Sequence, residues 1–157
     1  MSGRAFLDTN VFVYDVDTSA PRAKRAIARD LVRDAVTHQR SAISYQIIQE
    51  FLNVATGKFA ATISVPDAQA YVNTVFRPLL AVHSSVELFH AALDIGARYR
   101  ISWYDSLVVA AACEAKCSVL YSEDLGHGAK VNGVRIENPF RASWMPRALR
   151  LPAKTRC

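Results

Sequence analysis

Residues 105–124, DSLVVAAACEAKCSVLYSED, decide the fold. The run Leu107-Val108-Val109-Ala110-Ala111-Ala112 offers no polar face to water, so a helix opened by Asp105 must be packed on nearly every side. Val119-Leu120-Tyr121-Ser122 follows as a short buried strand and ends on Glu123-Asp124. The same alternation recurs towards the N-terminus. Ala5-Phe6-Leu7 reads as a strand that ends at Asp8-Thr9-Asn10, residue types that suit turns and helix caps. Short apolar strands alternating with helices call for a mostly parallel central sheet flanked by helices on both faces, an α/β three-layer sandwich.

The intervening elements follow from periodicity. Residues 22–39 lack Gly and Pro and read as a helix with Ala23, Ala26, Ile27 and Leu31 on one side. Arg22, Arg25, Arg29 and Arg33 recur at spacings of three and four and align on the other side, as a solvated face or a track for phosphates. Residues 41–44 suit a short strand. Residues 45–56 form an amphipathic helix stopped by Gly57, with Ile47, Ile48, Phe51, Leu52, Val54 and Ala55 as its stripe. Glu50 lies just outside one border of that stripe, at the rim of the core. Helices over 66–80 and 86–100, separated by a strand at 81–83, and a last strand at 134–137 complete the reading. In such sheets the functional crevice lies outside the carboxyl ends of the strands, and Asp8 and Asp124 both follow strands directly.

At 157 residues and 51% hydrophobic, the chain suits one domain with one core. The N-terminus lacks the long apolar segment of a secretory signal, and no apolar run approaches the roughly 18 to 20 residues that span a bilayer, so a cytoplasmic protein is expected. Cys113 and Cys117 sit four apart on what reads as one buried helix, and the cysteines read as small core residues, with no histidines at zinc-ligand spacing. The net charge of +5 is localised: Arg141, Arg147, Arg150, Lys154 and Arg156 face no acid, while residues 1–140 carry equal numbers of acids and bases. A basic tail over 141–157 and carboxylates gathered into one site leave a surface suited to a polyanion.

Asp8, Glu50, Asp105 and Asp124 are the residues whose placement points to chemistry. Like charges gathered in one place repel and raise one another's pKa unless a cation compensates them. Oxygen ligands without thiolate or imidazole select hard ions, above all Mg²⁺ or Mn²⁺. Metal ions so held stabilise the attacking and leaving oxygens of an in-line phosphoryl displacement, which is nuclease chemistry. Each acid also has an ordinary role: Asp8 as a cap or turn, Asp105 as a helix-start acid, Glu50 as a solvated helix residue, Asp124 as part of a turn. His38, His83, His90 and His127 lie outside these motifs, which favours a metal-activated water over a histidine base.

Together, FLDTNVFVY at 6–14, the acid of QEFLNV at 49–54, WYDSLVVAAA at 103–112, VLYSEDL at 119–125 and RIENPF at 135–140 resemble the successive motifs of PIN domains. More narrowly they resemble VapC-type toxins of toxin-antitoxin pairs. The resemblance implies a PIN-like nuclease domain over 1–140 and an Mg²⁺- or Mn²⁺-dependent endoribonuclease whose ligands are Asp8, Glu50, Asp105 and Asp124. Thr9, Asn10 and Ser122 would orient those carboxylates. The motif's spacing selects Asp124 over Glu123 as the last ligand. The resemblance further implies RNA as substrate, a cognate antitoxin and a homodimer, with the apolar helices over 66–100 as candidate contact surfaces. Two alternatives stand beside it. One is a catalytically inactive PIN-like module that binds RNA or a partner; the other is a phosphatase with Asp8 as nucleophile, disfavoured because Asn10 stands where its second acid belongs.

Overall fold

The central strand β1 (Arg4–Leu7) has parallel neighbours on both sides, β2 (Ser41–Ser44) and β4 (Cys117–Tyr121). The computed structural model describes residues 3–57, 63–142 and 144. Among them the sheet has six strands in the order β3-β2-β1-β4-β6-β5. β3 (Leu80–Val82) pairs parallel to β2, and β6 (Val134–Glu137) parallel to β4. β5 (Lys130–Val131) is antiparallel to β6. Asn132 and Gly133 between them both have positive φ, 47° and 86°, the backbone that a two-residue hairpin turn matched to strand twist requires.

The chain steps outward from β1 through β2 to β3, then returns to the opposite side of β1 as β4. The order therefore reverses between β1 and β4, where open α/β sheets place their ligand crevice. Asp8 follows β1 and Ser122 follows β4, so the switch point falls on the acidic motifs.

Helices cover both faces. α1 (Thr9–Val16) and α2 (Arg22–His38) pack on each other, and Ile27 and Leu31 of α2 share one groove with Ala5, Leu7, Val119 and Tyr121 of the sheet. α7 (Trp103–Glu114) lies over β2, β4 and β6, buried from Ser106 through Ala112, as the all-apolar run requires. α6 (Val86–Tyr99) packs against α7 so closely that a Cβ on Gly96 would stand 2.9 Å from Ser106 Oγ. α3 (Tyr45–Ala55) carries Ile47 and Phe51 into the core, where Phe51 stacks on Tyr71 and meets Phe76 edge-on.

Several sequence expectations change. Residues 9–16 form a helix that the turn-like DTN had concealed; Asp8 is its N-cap, accepting a hydrogen bond from the Thr9 N–H. The buried face of α2 is Ala28, Val32 and Ala35, with Ala23 and Ala26 exposed, so the helix is rotated from the expected stripe. On α3 Gln46 is buried and Val54 is 37% exposed. The helix expected over 66–80 is three pieces: α4 (Val65–Tyr71), a π-helical turn (Val72–Phe76) and α5 (Arg77–Leu79). α7 starts at Trp103, two residues before Asp105, because Ser102 caps it. Of the basic tail, Arg147, Arg150, Lys154 and Arg156 lie outside the described residues, as does Cys157.

Candidate active site

The crevice is built around Asp8, which is 8% exposed. β1 delivers it to the carboxyl edge, and the turn into α1 fixes its carboxylate: Oδ1 accepts from the Thr9 N–H at 2.8 Å and Oδ2 from the Ser122 hydroxyl at 2.6 Å. Ser122, itself buried, also receives the N–H groups of Asp124 and Leu125 at 3.3 and 3.4 Å, so one hydroxyl joins the two acidic motifs. Burial pushes the Asp8 carboxyl up to about 6. The bonds from Ser122 and Thr9 oppose this, and the charges of Glu50 and Asp124 add to it.

Glu50 reaches the crevice from the rim of α3. Its Oε2 accepts from Thr9 Oγ1 at 2.6 Å and its Oε1 from Gln46 Nε2 at 2.8 Å. The Gln46 amide also donates to the Tyr104 carbonyl at 3.2 Å, which ties Glu50 to the residue before Asp105. Asp105 is half-buried in the first turn of α7; its backbone N–H donates to the Ser102 capping hydroxyl at 3.2 Å. Asp124 is exposed and accepts from Asn10 Nδ2 at 2.9 Å.

Glu50 and Asp124 both lie close enough to Asp8 for their charges to act on it, with Thr9, Asn10 and Ser122 bonded to these carboxylates. Asp105 is tied to them through the Gln46 amide, which bonds both Glu50 and the carbonyl of the preceding Tyr104. Glu123 turns to a different set of partners. It forms an ion pair with Lys24 of α2 and accepts from Tyr14 Oη at 2.5 Å, while the Lys24 ammonium also sits over the Tyr14 ring. Burial pushes the Glu123 carboxyl up, but the bonds from Lys24 and Tyr14 and the Lys24 charge outweigh it, so its pKa falls below the usual value. Gln46, Tyr14 and Lys24 escaped the sequence reading. Gln46 was legible only as Glu50 minus four, the spacing at which helix side chains meet.

The donor set of carboxylates, hydroxyls and an amide suits a hard divalent cation, and a cation would offset the charge that burial and two neighbours impose on Asp8. The carboxylates of Asp8, Glu50 and Asp124 are meanwhile each engaged by a protein donor. Among the described residues no group of three or more His, Cys, Asp or Glu side chains stands where it could hold a metal ion.

The sequence profile of the PIN domain matches residues 5–130. The chain belongs to the PIN-domain family. Its fold recurs in solved structures of low sequence identity. Mycobacterium tuberculosis VapC20, described as a sarcin-ricin loop cleaving toxin, is 17% identical with a TM-score of 0.57, over 76% of this chain and 89% of that one. The DNA-bound VapBC of Salmonella typhimurium is 20% identical, TM-score 0.57, over 87% and 98%. A toxin-antitoxin complex from Klebsiella pneumoniae is 17% identical, TM-score 0.58, over 86% and 97%. No curated protein sequence matches the chain. In this PIN domain the four histidines are exposed: His38 pairs with Asp34, and His127 accepts the Asn138 N–H. No helix among the described residues is long and apolar enough to cross a membrane.

Proposed function

We propose that this PIN domain is a divalent-cation-dependent endoribonuclease that acts in the cytoplasm as the toxin of a toxin-antitoxin pair. The observation that carries the reading is Asp8, buried at the β1/β4 switch point with its pKa raised and with Glu50 and Asp124 adding their charge. Asp8, Glu50, Asp105 and Asp124 would hold Mg²⁺ or Mn²⁺. That ion would activate water and stabilise charge in an in-line displacement at a phosphodiester. The chain's own part is orientation: Ser122 and the Thr9 N–H fix Asp8, Thr9 and Gln46 fix Glu50, and Asn10 fixes Asp124.

An RNA surface is at hand. Lys24 brings the start of α2 to the Asp124 loop, and Arg22, Arg29 and Arg33 are exposed along the same helix. For the antitoxin and a second copy of the chain, Val86, Phe89 and Leu93 of α6, with Trp103 and Tyr104 beside them, form an exposed apolar patch. The VapBC complexes with the same fold support an antitoxin as one occupant.

A second reading has its own support. With Asp8, Glu50 and Asp124 each accepting from a protein donor and no metal-competent group among the described residues, the site also suits a PIN scaffold that binds RNA or a partner without turnover. Incubation of the purified protein with total cellular RNA and Mg²⁺, with and without chelator, followed by mapping of the ends, separates the two. Discrete, chelator-sensitive cuts support the nuclease; intact RNA with retained binding supports the scaffold.

A further inference from the structure

Past β6 the chain turns back onto the sheet face that α2 covers. Phe140 meets Tyr14 edge-on at 4.9 Å, and Trp144 meets Tyr121 edge-on and bonds to Glu137. Trp144 thus steps from β6 to β4, in the direction of β1. Tyr121 stands opposite Leu7 in the parallel pairing of β4 with β1, so both side chains lie on this one face.

Here α2 and the sheet leave a groove of about 800 Å³, and Trp144 is one of its walls. Ala5, Ile27 and Leu31 are others; like Trp144 they are only half-buried, so apolar surface stays open along the groove and gains from a cover. Asp30 and Asp34 of α2 are exposed on the same groove. Their described partners are local: Asp34 pairs with His38, and Asp30 lies 3.9 Å from Arg33, exposed helix pairs that contribute little. With His38 neutral, the two acids outnumber Arg40, the one arginine among the described lining residues.

The sequence that follows Trp144 has the complementary chemistry. Residues 145–157 lie outside the described residues; they hold Arg147, Arg150, Lys154 and Arg156 and no acid, with Met145, Leu149 and Leu151 as apolar side chains. They start next to a wall of the groove, so no linker is needed to reach it. A nucleic acid suits the groove less well, since its phosphates are repelled by Asp30 and Asp34 and gain nothing from apolar walls.

We propose that residues 145–157 dock in cis along the groove between α2 and the sheet, with Leu149 and Leu151 against its apolar walls and the basic side chains towards Asp30 and Asp34. Docking makes the basic tail part of the folded body and holds its charge away from RNA. It does not depend on the chemistry of the acidic crevice.

Hydrogen exchange read by mass spectrometry on the full chain, without RNA, tests it. Wild-type amides over 145–157 are expected to exchange at least about tenfold more slowly than those of a free peptide of the same sequence. Two variants should release them: Leu149→Ser with Leu151→Ser, which alters the tail alone, and Asp30→Lys with Asp34→Lys, at exposed positions of α2. Both should return the tail to peptide-like exchange while α7 keeps its protection, which shows that the body remains folded. A wild-type tail that exchanges like the free peptide overturns docking. So does protection that survives either pair of substitutions. Protection that rises with chain concentration assigns the tail to a second copy, and protection that appears only on adding single-stranded RNA assigns it to RNA; each overturns docking in cis.

Discussion

Thr9 Oγ1 donates to Glu50 Oε2 at 2.6 Å across 41 residues of sequence, and the Thr9 N–H donates to Asp8. One residue therefore sets the distance between two acids of the crevice, with the start of α1 as the spacer. Thr9→Val keeps the shape and the backbone bond but removes the hydroxyl. Glu50 is then left with Gln46 as its side-chain donor. The expected outcome is a stability loss of about 1.5 to 3 kcal/mol in urea melts, the range for a bond to a charged acceptor. RNA cleavage should fall on the order of 10- to 100-fold. Unaltered cleavage would show that Glu50 is positioned without Thr9.

The raised pKa of Asp8 fixes a pH dependence. A carboxyl bound to its proton more tightly in the folded than in the unfolded chain stabilises the fold fully below its unfolded pKa. That contribution is lost as pH rises through the folded value, here from the ordinary 3.8 to about 6. In chelator the wild type should therefore lose on the order of 3 kcal/mol from this group between pH 4 and pH 7, and Asp8→Asn should lack that loss. With Mg²⁺ the trend should turn, because the cation binds the ionised form. Melting curves from pH 4 to 8 on both proteins, with chelator and with Mg²⁺, are the measurement. Parallel wild-type and Asp8→Asn curves in chelator would contradict it.

The parts of this site that the sequence made legible are those that local pattern determines. Asp8 and Asp124 could be placed because apolar strands ended just before them, and Glu50 because its angle on the helix put it beside the core stripe. The helix at 9–16 stayed hidden because the same residues that cap it also suit a turn, and capping alone does not say that a helix follows. The rotation of α2 and the burial of Gln46 depend on which neighbours arrive from distant sequence. So does the capture of Glu123 by Lys24, a pair 99 residues apart. Asn132-Gly133 between two valines was, by contrast, a readable hairpin signal for β5 and β6.

The boundary of the folded body can be located by truncation. The sequence places it after Phe140, but Trp144 meets Tyr121 edge-on at 5.7 Å, and its Nε1–H donates to the buried Glu137 at 3.3 Å. A chain ending at 144 keeps this contact and one ending at 140 loses it. The shorter form should be less stable by about 2 kcal/mol, a partial aromatic burial plus one bond to a carboxylate. That corresponds to a melting point lower by about 4 to 8 °C for a chain of this size. Equal melting points for the two truncations would place the boundary at 140.

Asp105 offers the cleanest separation of a functional from a structural acid, because its structural duty rests on its backbone. The Ser102 hydroxyl caps α7 through the Asp105 N–H, and that bond survives any change of the side chain. Asp105→Asn therefore keeps the cap and the volume and loses one negative charge from the first turn, worth about 0.3 to 1 kcal/mol at an exposed helix start. In chelator the variant should melt within a few degrees of wild type. As a metal ligand, Asp105 should show itself elsewhere: cleavage falls by orders of magnitude, since a misplaced ion no longer aligns the reacting groups. The rise in melting temperature on adding Mg²⁺ should shrink as well, because a ligand stabilises the fold only in proportion to its retained affinity. Melting curves in both conditions beside an RNA cleavage assay read these effects independently. Full activity with an undiminished Mg²⁺ shift would assign Asp105 to the start of α7 and leave the cation to Asp8, Glu50 and Asp124.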